Sequence, residues 1–174
     1  TDYLSQEAGR LGFKLWVCPP VRRGGSTVSS TAIRRFIEAG QMKKAEDMLG
    51  RPVSIFGTVI HGRGRGKKIG FPTANLDPHH ETLPPEGVYA VWGRLGGKRL
   101  RGVLHIGKRP TFHDTQKSIE VHWLNWRGNL YGREIELFFV KRLRPTRRFK
   151  NAQALEQAIH RDILAAGRAF STAP

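Results

Sequence analysis

The chain has 174 residues, 30 Lys and Arg against 14 Asp and Glu, a net charge of +16 and one cysteine. That length holds one full core, or one domain with part of another. The lone Cys18 excludes an internal disulfide framework, and no apolar run approaches the ~20 residues of a membrane helix. Thirteen of the sixteen excess positive charges fall in residues 51–150, a field that attracts a nucleoside triphosphate as well as nucleic acid. Asp2, Gln6 and Glu7 do not fit the basic-then-apolar layout of a secretory signal, so the expected compartment is reducing and cytoplasmic. The start at Thr1 fits a piece of something longer.

Residues 2–11 predict a short helix, and the alternation in 13–18 a short strand stopped by Pro19-Pro20. Residues 22–27 read as a polar, Gly-rich loop. Ser29, Ser30 and Thr31 open a helix whose apolar face is Ile33, Phe36 and Ile37 and whose stop is Gly40. A second helix carries Met42, Ala45, Met48 and Leu49 and ends at Gly50-Arg51-Pro52. From Pro52 the pattern changes to short strands: 53–61, then 88–95 and 99–106 joined at Gly96-Gly97, then 118–126 and 134–143 on either side of Arg127-Gly128-Asn129. Five or six such strands predict an antiparallel barrel or sandwich, the barrel favoured because it leaves no exposed edge. A final helix presents Leu155, Ile159, Ile163, Ala166 and Phe170 on one face, suited to packing on that barrel.

The stretch from Gly62 to Asn75 draws most attention. Gly62, Gly64, Gly66 and Gly70 let backbone amides approach an anion, with Arg63, Arg65, Lys67 and Lys68 among them. It lacks the Gly-Lys-Ser/Thr ending of a Walker loop and the β-α-β setting of a dinucleotide fingerprint. It ends instead in Phe71-Pro72-Thr73-Ala74-Asn75. In an extended segment the Thr73 hydroxyl and Asn75 carboxamide point the same way, as two neutral oxygen donors suited to Mg²⁺ or phosphate. A capped turn with self-satisfied side chains explains the same residues equally well.

Glu120 is the second candidate. Strand alternation puts Glu120, His122 and Leu124 on one face and Ile119, Val121 and Trp123 on the other. A mid-strand carboxylate in a segment so poor in acids needs a reason, and by pattern alone a salt bridge to one of the many cations serves. His79 and His80 read as loop surface, since nothing else completes a zinc signature. Ser29, Ser30 and Thr31, with Arg34 nearby, suit a phosphate at a helix start or simple capping. Lys141, Arg142, Arg144, Arg147, Arg148 and Lys150 form a basic face with only Phe149 among them, thin for base stacking.

Taken together, the motifs resemble riboflavin kinase in order and spacing. They are Gly62 to Asn75, Gly87-Val88-Tyr89-Ala90, Ile106-Gly107 with Arg109-Pro110-Thr111-Phe112, Glu120-Val121-His122, Leu130-Tyr131-Gly132, and Leu143-Arg144-Pro145 with Phe149. Residues 1–50, through Pro19-Pro20-Val21, Val28 to Arg34 and Leu49-Gly50, resemble the tail of the FMN adenylyltransferase domain of bacterial bifunctional FAD synthetases.

The resemblance implies a mainly β fold: a six-stranded antiparallel Greek-key barrel with a C-terminal helix over residues 51–174, preceded by a small α/β remnant over 1–50. It implies transfer of the ATP γ-phosphoryl group to the ribityl 5′-hydroxyl of riboflavin, giving FMN and ADP. Glu120 would be the general base, and Thr73 and Asn75 the contacts to Mg²⁺ and the phosphates. Gly62, Gly64, Arg65, Gly66, Lys67, Lys68 and Gly70 would cover the nucleotide. The covalent partner would be an adenylyltransferase domain; FAD synthesis is not expected of these residues alone, and neither a membrane nor nucleic acid is an expected partner. The alternative is a basic β-barrel that binds nucleic acid. The chain departs from the family pattern at His105, where Asn is usual before Ile-Gly, at Asn129, where Asp precedes Leu-Tyr-Gly, and at Thr146, where an acid follows Leu-Arg-Pro.

Overall fold

The computed structural model describes residues 2–62, 64, 66, 69–79, 81–108, 117–126 and 128–172. Helix α1 (Asp2–Leu11) leads into an irregular stretch. A two-residue antiparallel pair, β1 (Arg22–Arg23) and β2 (Ser26–Thr27), comes next, followed by α2 (Ser30–Glu38) and α3 (Met42–Leu49). Six strands then follow: β3 (Ser54–Ile60), β4 (Ala74–Asp77), β5 (Gly87–Leu95), β6 (Lys98–Lys108), β7 (Lys117–Trp123) and β8 (Glu134–Arg144). Helix α4 (Ala152–Thr172) ends the chain.

The six strands close into an antiparallel barrel in the order β3-β4-β7-β6-β5-β8. Strands β5, β6 and β7 are successive neighbours and β8 returns beside β5, the Greek-key arrangement. Inward-facing Ile55, Val59, Leu76, Val91, Leu104, Ile119, Val121, Ile135 and Leu137 fill the interior. Strand β5 reads as an almost unbroken apolar run because it is covered on both sides. Tyr89 and Val91 face the barrel core, while Val88 and Ala90 meet Ala166, Ala169 and Phe170 of α4. Register shifts between β5 and β8 at Val88/Tyr89 and Ala90/Val91 add the local bend that closure of so small a sheet requires.

Helix α2 starts where its sequence says: Ser29 Oγ accepts from the Ala32 amide at 3.2 Å, and Gly40 follows the helix at φ 71°. Gly50 ends α3 in the left-handed conformation. Their apolar faces do not form a separate core. Ile37 and Ala45 join the same buried cluster as the barrel interior, with Ile33, Phe36, Met42 and Leu49 packed against it.

Four local expectations change. Residues 13–18 are irregular rather than a strand, with Trp16 86% exposed; alternation makes a strand only when another strand supplies the ladder. The loop at 22–27 is instead a minimal hairpin, closed by Gly24 and Gly25 with φ of 53° and 78°. The segment Ala74–Asp77, expected only to be extended, is a full barrel strand paired with β3 and β7. Strand β7 ends at Trp123, and Asn125 turns the chain away at φ 55°. Among the described residues no helix is long and apolar enough to cross a membrane.

Candidate active site

Thr73, Asn75 and Glu120 meet on the outer surface of β4 and β7. Asn75 lies directly opposite Glu120 in the antiparallel register. Thr73, just before β4, donates its hydroxyl to Glu120 Oε2 over a long 3.4 Å. Ile119, Val121 and Trp123 point inward, so Glu120 and His122 look outward, as strand alternation requires. A carboxylate, an amide and a hydroxyl thus share one partly buried surface. Among the described residues no salt bridge uses Glu120, and its polar neighbour is Thr73 rather than a cation.

Glycine is required where the preceding loop touches this surface. A Cβ on Gly62 would lie 1.8 Å from Asn75 Nδ2, and one on Gly66 would lie 2.3 Å from the Phe71 carbonyl oxygen and 3.2 Å from Thr73 Oγ1. The Gly66 carbonyl accepts from the amides of Ile69 at 3.2 Å and Phe71 at 2.9 Å, closing the loop back on itself. Arg65, Lys67 and Lys68 lie outside the described residues, as do Arg63, His80 and the 109–116 segment.

His122 fixes the end of this loop. Its Nδ1 lies 2.9 Å from the Pro72 carbonyl oxygen, so that nitrogen carries the proton and donates. Phe71 is buried edge-on between His122 and His160 of α4, at centroid distances of 5.6 and 5.0 Å. The loop is therefore held on one side by β7 and on the other by the C-terminal helix. At its start, His61 stacks on Tyr131 at 3.7 Å. Tyr131 belongs to a turn in which Asn129 Oδ1 accepts from its amide at 2.9 Å; Asn at position 129 therefore makes the turn contact that an Asp would make there.

A cleft of about 450 Å³ opens beside Thr73, lined by Val59, Pro72, Trp123, Trp126, Leu130 and Tyr131. It is large and apolar enough for an aromatic ring system. Two further clefts of about 520 Å³ contain none of the predicted site residues. Trp123 and Trp126 were not singled out from sequence as site residues. The available signal was two of the chain's four tryptophans within six residues of Glu120.

The remaining candidates separate from the site. Ser29 is occupied as a helix cap. Arg142 donates to the Glu86 carbonyl oxygen at 2.7 Å, and Arg144 makes a two-pronged pair with Asp162 of α4, both contacts at 2.8 Å. Phe149 lies under the guanidinium groups of Arg144 and Arg147, at 5.6 and 4.9 Å. The basic face is in part a structural joint, and its one aromatic ring is already covered; the nucleic-acid alternative gains no stacking platform from it.

For a cation, Thr73 and Asn75 supply hard, neutral oxygens beside the Glu120 carboxylate, a donor set suited to Mg²⁺. Among the described residues no group of three or more His, Cys, Asp or Glu is placed to hold a metal ion by itself.

The family profile for riboflavin kinase matches residues 49–170. A bifunctional riboflavin kinase/FMN adenylyltransferase of Escherichia coli K12 is 40% identical over 169 residues, covering 96% of this chain and 54% of that protein. The chain thus spans about half the length of such relatives. Among solved structures, a protein from Streptococcus pneumoniae described as a macrolide-efflux protein superposes with a TM-score of 0.77 at 28% identity. It covers 94% of this chain and 54% of its own. The riboflavin kinase of Trypanosoma brucei shares the fold, with a TM-score of 0.52 at 22% identity over 68% of this chain and 80% of its own.

Proposed function

Because the chain belongs to the riboflavin kinase family, we propose that it transfers the γ-phosphoryl group of ATP to the ribityl 5′-hydroxyl of riboflavin, giving FMN and ADP, on the surface shared by Thr73, Asn75 and Glu120. The observation that carries this reading is the register of Asn75 against Glu120 with Thr73 within reach of the same carboxylate. Residues far apart in sequence thereby present a base and two phosphate- or metal-binding oxygens to one point.

Phosphoryl transfer through a loose transition state asks chiefly for positioning and charge neutralisation. Glu120 accepts a hydrogen bond from the 5′-hydroxyl, aligns its oxygen with the phosphorus and takes the proton as the O–P bond forms. The glycine loop and the cleft beside Thr73 take the nucleotide, which leaves the face of Glu120 away from Thr73 for riboflavin. The 5′-hydroxyl oxygen, held beside the carboxylate, then lies in line with the phosphorus and its leaving oxygen. Thr73 and Asn75 would hold Mg²⁺, which when bound neutralises charge on the β- and γ-phosphates.

Residues 51–174 form the kinase domain in this reading, and 1–50 are the end of an adenylyltransferase domain that packs on the barrel. The protein acts in the cytoplasm with riboflavin and ATP as substrates. The test is incubation with riboflavin, ATP and Mg²⁺ followed by chromatography of the flavins. FMN that depends on both ATP and the divalent ion is expected; its absence with wild-type protein overturns the reading. Salt-sensitive binding to RNA or DNA with no flavin product would support the nucleic-acid alternative instead.

A further inference from the structure

Glu120 has two neighbours in the sheet, and the second is His105. In β6 it stands directly opposite Glu120, so Asn75, Glu120 and His105 form one row across β4, β7 and β6. Side chains directly opposite in an antiparallel pair have Cβ atoms about 5 Å apart, which puts the imidazole within reach of the carboxylate. The row continues through Val88 to Arg144, which holds Asp162 of α4.

The ring of His105 is laid along its own strand over Gly107. A Cβ at Gly107 would come within 2.6 Å of His105 Cε1 and 3.1 Å of Nε2, so glycine there makes the room that the ring occupies. Among the described residues four charged groups act on it: Glu120 from β7, Glu86 just before β5, Arg144 from β8 and Asp162 from α4. Burial holds its pKa below the ordinary 6.5. Glu120 opposes that shift more than any other described charge, Arg144 adds to it, and Glu86 and Asp162 oppose it less than Glu120 does. Asp162 is engaged by Arg144. Glu120 is therefore the carboxylate with which a charged His105 pairs first.

We propose that His105 is a positioning residue for the base: as a neutral ring it leaves the Glu120 carboxylate free to receive the 5′-hydroxyl proton, and as an imidazolium it ties that carboxylate into an ion pair and withdraws it. The inference rests on the kinase reading for its effect on rate, but the His105–Glu120 coupling stands apart from that reading. Asparagine at position 105 keeps a polar side chain of similar reach and removes the titration.

Two measurements test it. The first is the pH profile of kcat and kcat/KM for FMN formation in wild type and His105→Asn. The variant is expected to keep activity within a few-fold at pH 8 and to retain roughly five- to tenfold more of it than wild type at pH 5, its acidic limb moving to lower pH. An unmoved limb, or an equal loss at every pH, overturns the proposal. The second is an NMR titration of the His105 Cε1–H signal, assigned by its disappearance in His105→Asn, in wild type and Glu120→Gln. Loss of the carboxylate is expected to lower the pKa of His105; an unchanged titration overturns the coupling whatever the activity. If His105→Asn does not fold, the signal is assigned through its contacts to Gly107 and the Glu120→Gln comparison decides alone. Absence of FMN with wild-type protein removes the kinase reading and the rate effect with it, and leaves the NMR result to decide the pairing.

Discussion

Asn75 and Glu120 face each other across the β4–β7 ladder, and Gly62 lies so close against the Asn75 amide that any side chain there would overlap it. The glycine loop, the amide and the carboxylate are thus one mechanical unit. A change in the first moves the second relative to the third.

That unit separates two neighbouring glycines. Gly62→Ala is expected to displace the Asn75 side chain and reduce kcat/KM for ATP by roughly ten- to a hundredfold, with Tm little changed because the site is at the surface. Gly64 has open space around its Cβ but φ of 66°. Gly64→Ala should therefore act by backbone strain of about 1 kcal/mol and a milder kinetic loss. Steady-state kinetics beside thermal melts distinguish the two; equal kinetic losses would mean that the contact with Asn75 is immaterial.

Removing the proposed base without changing its shape is the sharpest test of chemistry. Glu120→Gln should lower kcat about 10²–10⁴-fold while KM for riboflavin stays within a few-fold. Thr73→Val, which keeps the volume and removes the hydroxyl, should fall by less but lose its response to Mg²⁺ concentration. Near-wild-type turnover in Glu120→Gln would leave the protein a kinase with another base.

The joint between barrel and helix carries stability rather than chemistry. Arg144 and Asp162 are paired through two 2.8 Å contacts, with the Asp162 side chain only 8% exposed. Asp162→Asn leaves Arg144 charged and without its partner, at a cost of about 3 kcal/mol, or a fall in Tm near 8 °C for a chain of this size. Urea denaturation should show a lower midpoint with an unchanged slope. A variant as stable as wild type would show that the pair contributes nothing net.

Histidine 105 also links stability to pH. Its folded-state pKa is lowered, chiefly by burial, so the unfolded chain binds the proton more readily. The stabilising contribution of the neutral ring is complete above 6.5 and is lost as pH falls below 6.5 toward the folded value. Tm of wild type relative to His105→Asn should therefore decline between pH 7 and pH 5. A constant difference over that range would contradict burial of a neutral ring.

The strands of the barrel were largely legible because they record local rules. Alternation in 118–123, glycine at Gly96-Gly97 and the run of apolar residues in 88–95 each predict what the chain does there. Residues 13–18 carry the same alternation and form no strand, since the deciding factor is a partner elsewhere in the chain. Ala74–Asp77 is the converse case: four residues too short and polar to announce a strand become one because β3 and β7 supply ladders on both sides.

The same division runs through the site. The sequence by itself determined the alternating strands, the glycines before Thr73 and Asn75, and the separation of Glu120 from the apolar face of its strand, because turn chemistry and side-chain period act over a few residues. Tertiary structure alone decided that Asn75 and His105 flank Glu120, that His122 and His160 hold Phe71, and that Trp123 and Trp126 wall a cleft. Those relationships depend on strand register across long separations, and register is set by how the whole barrel closes.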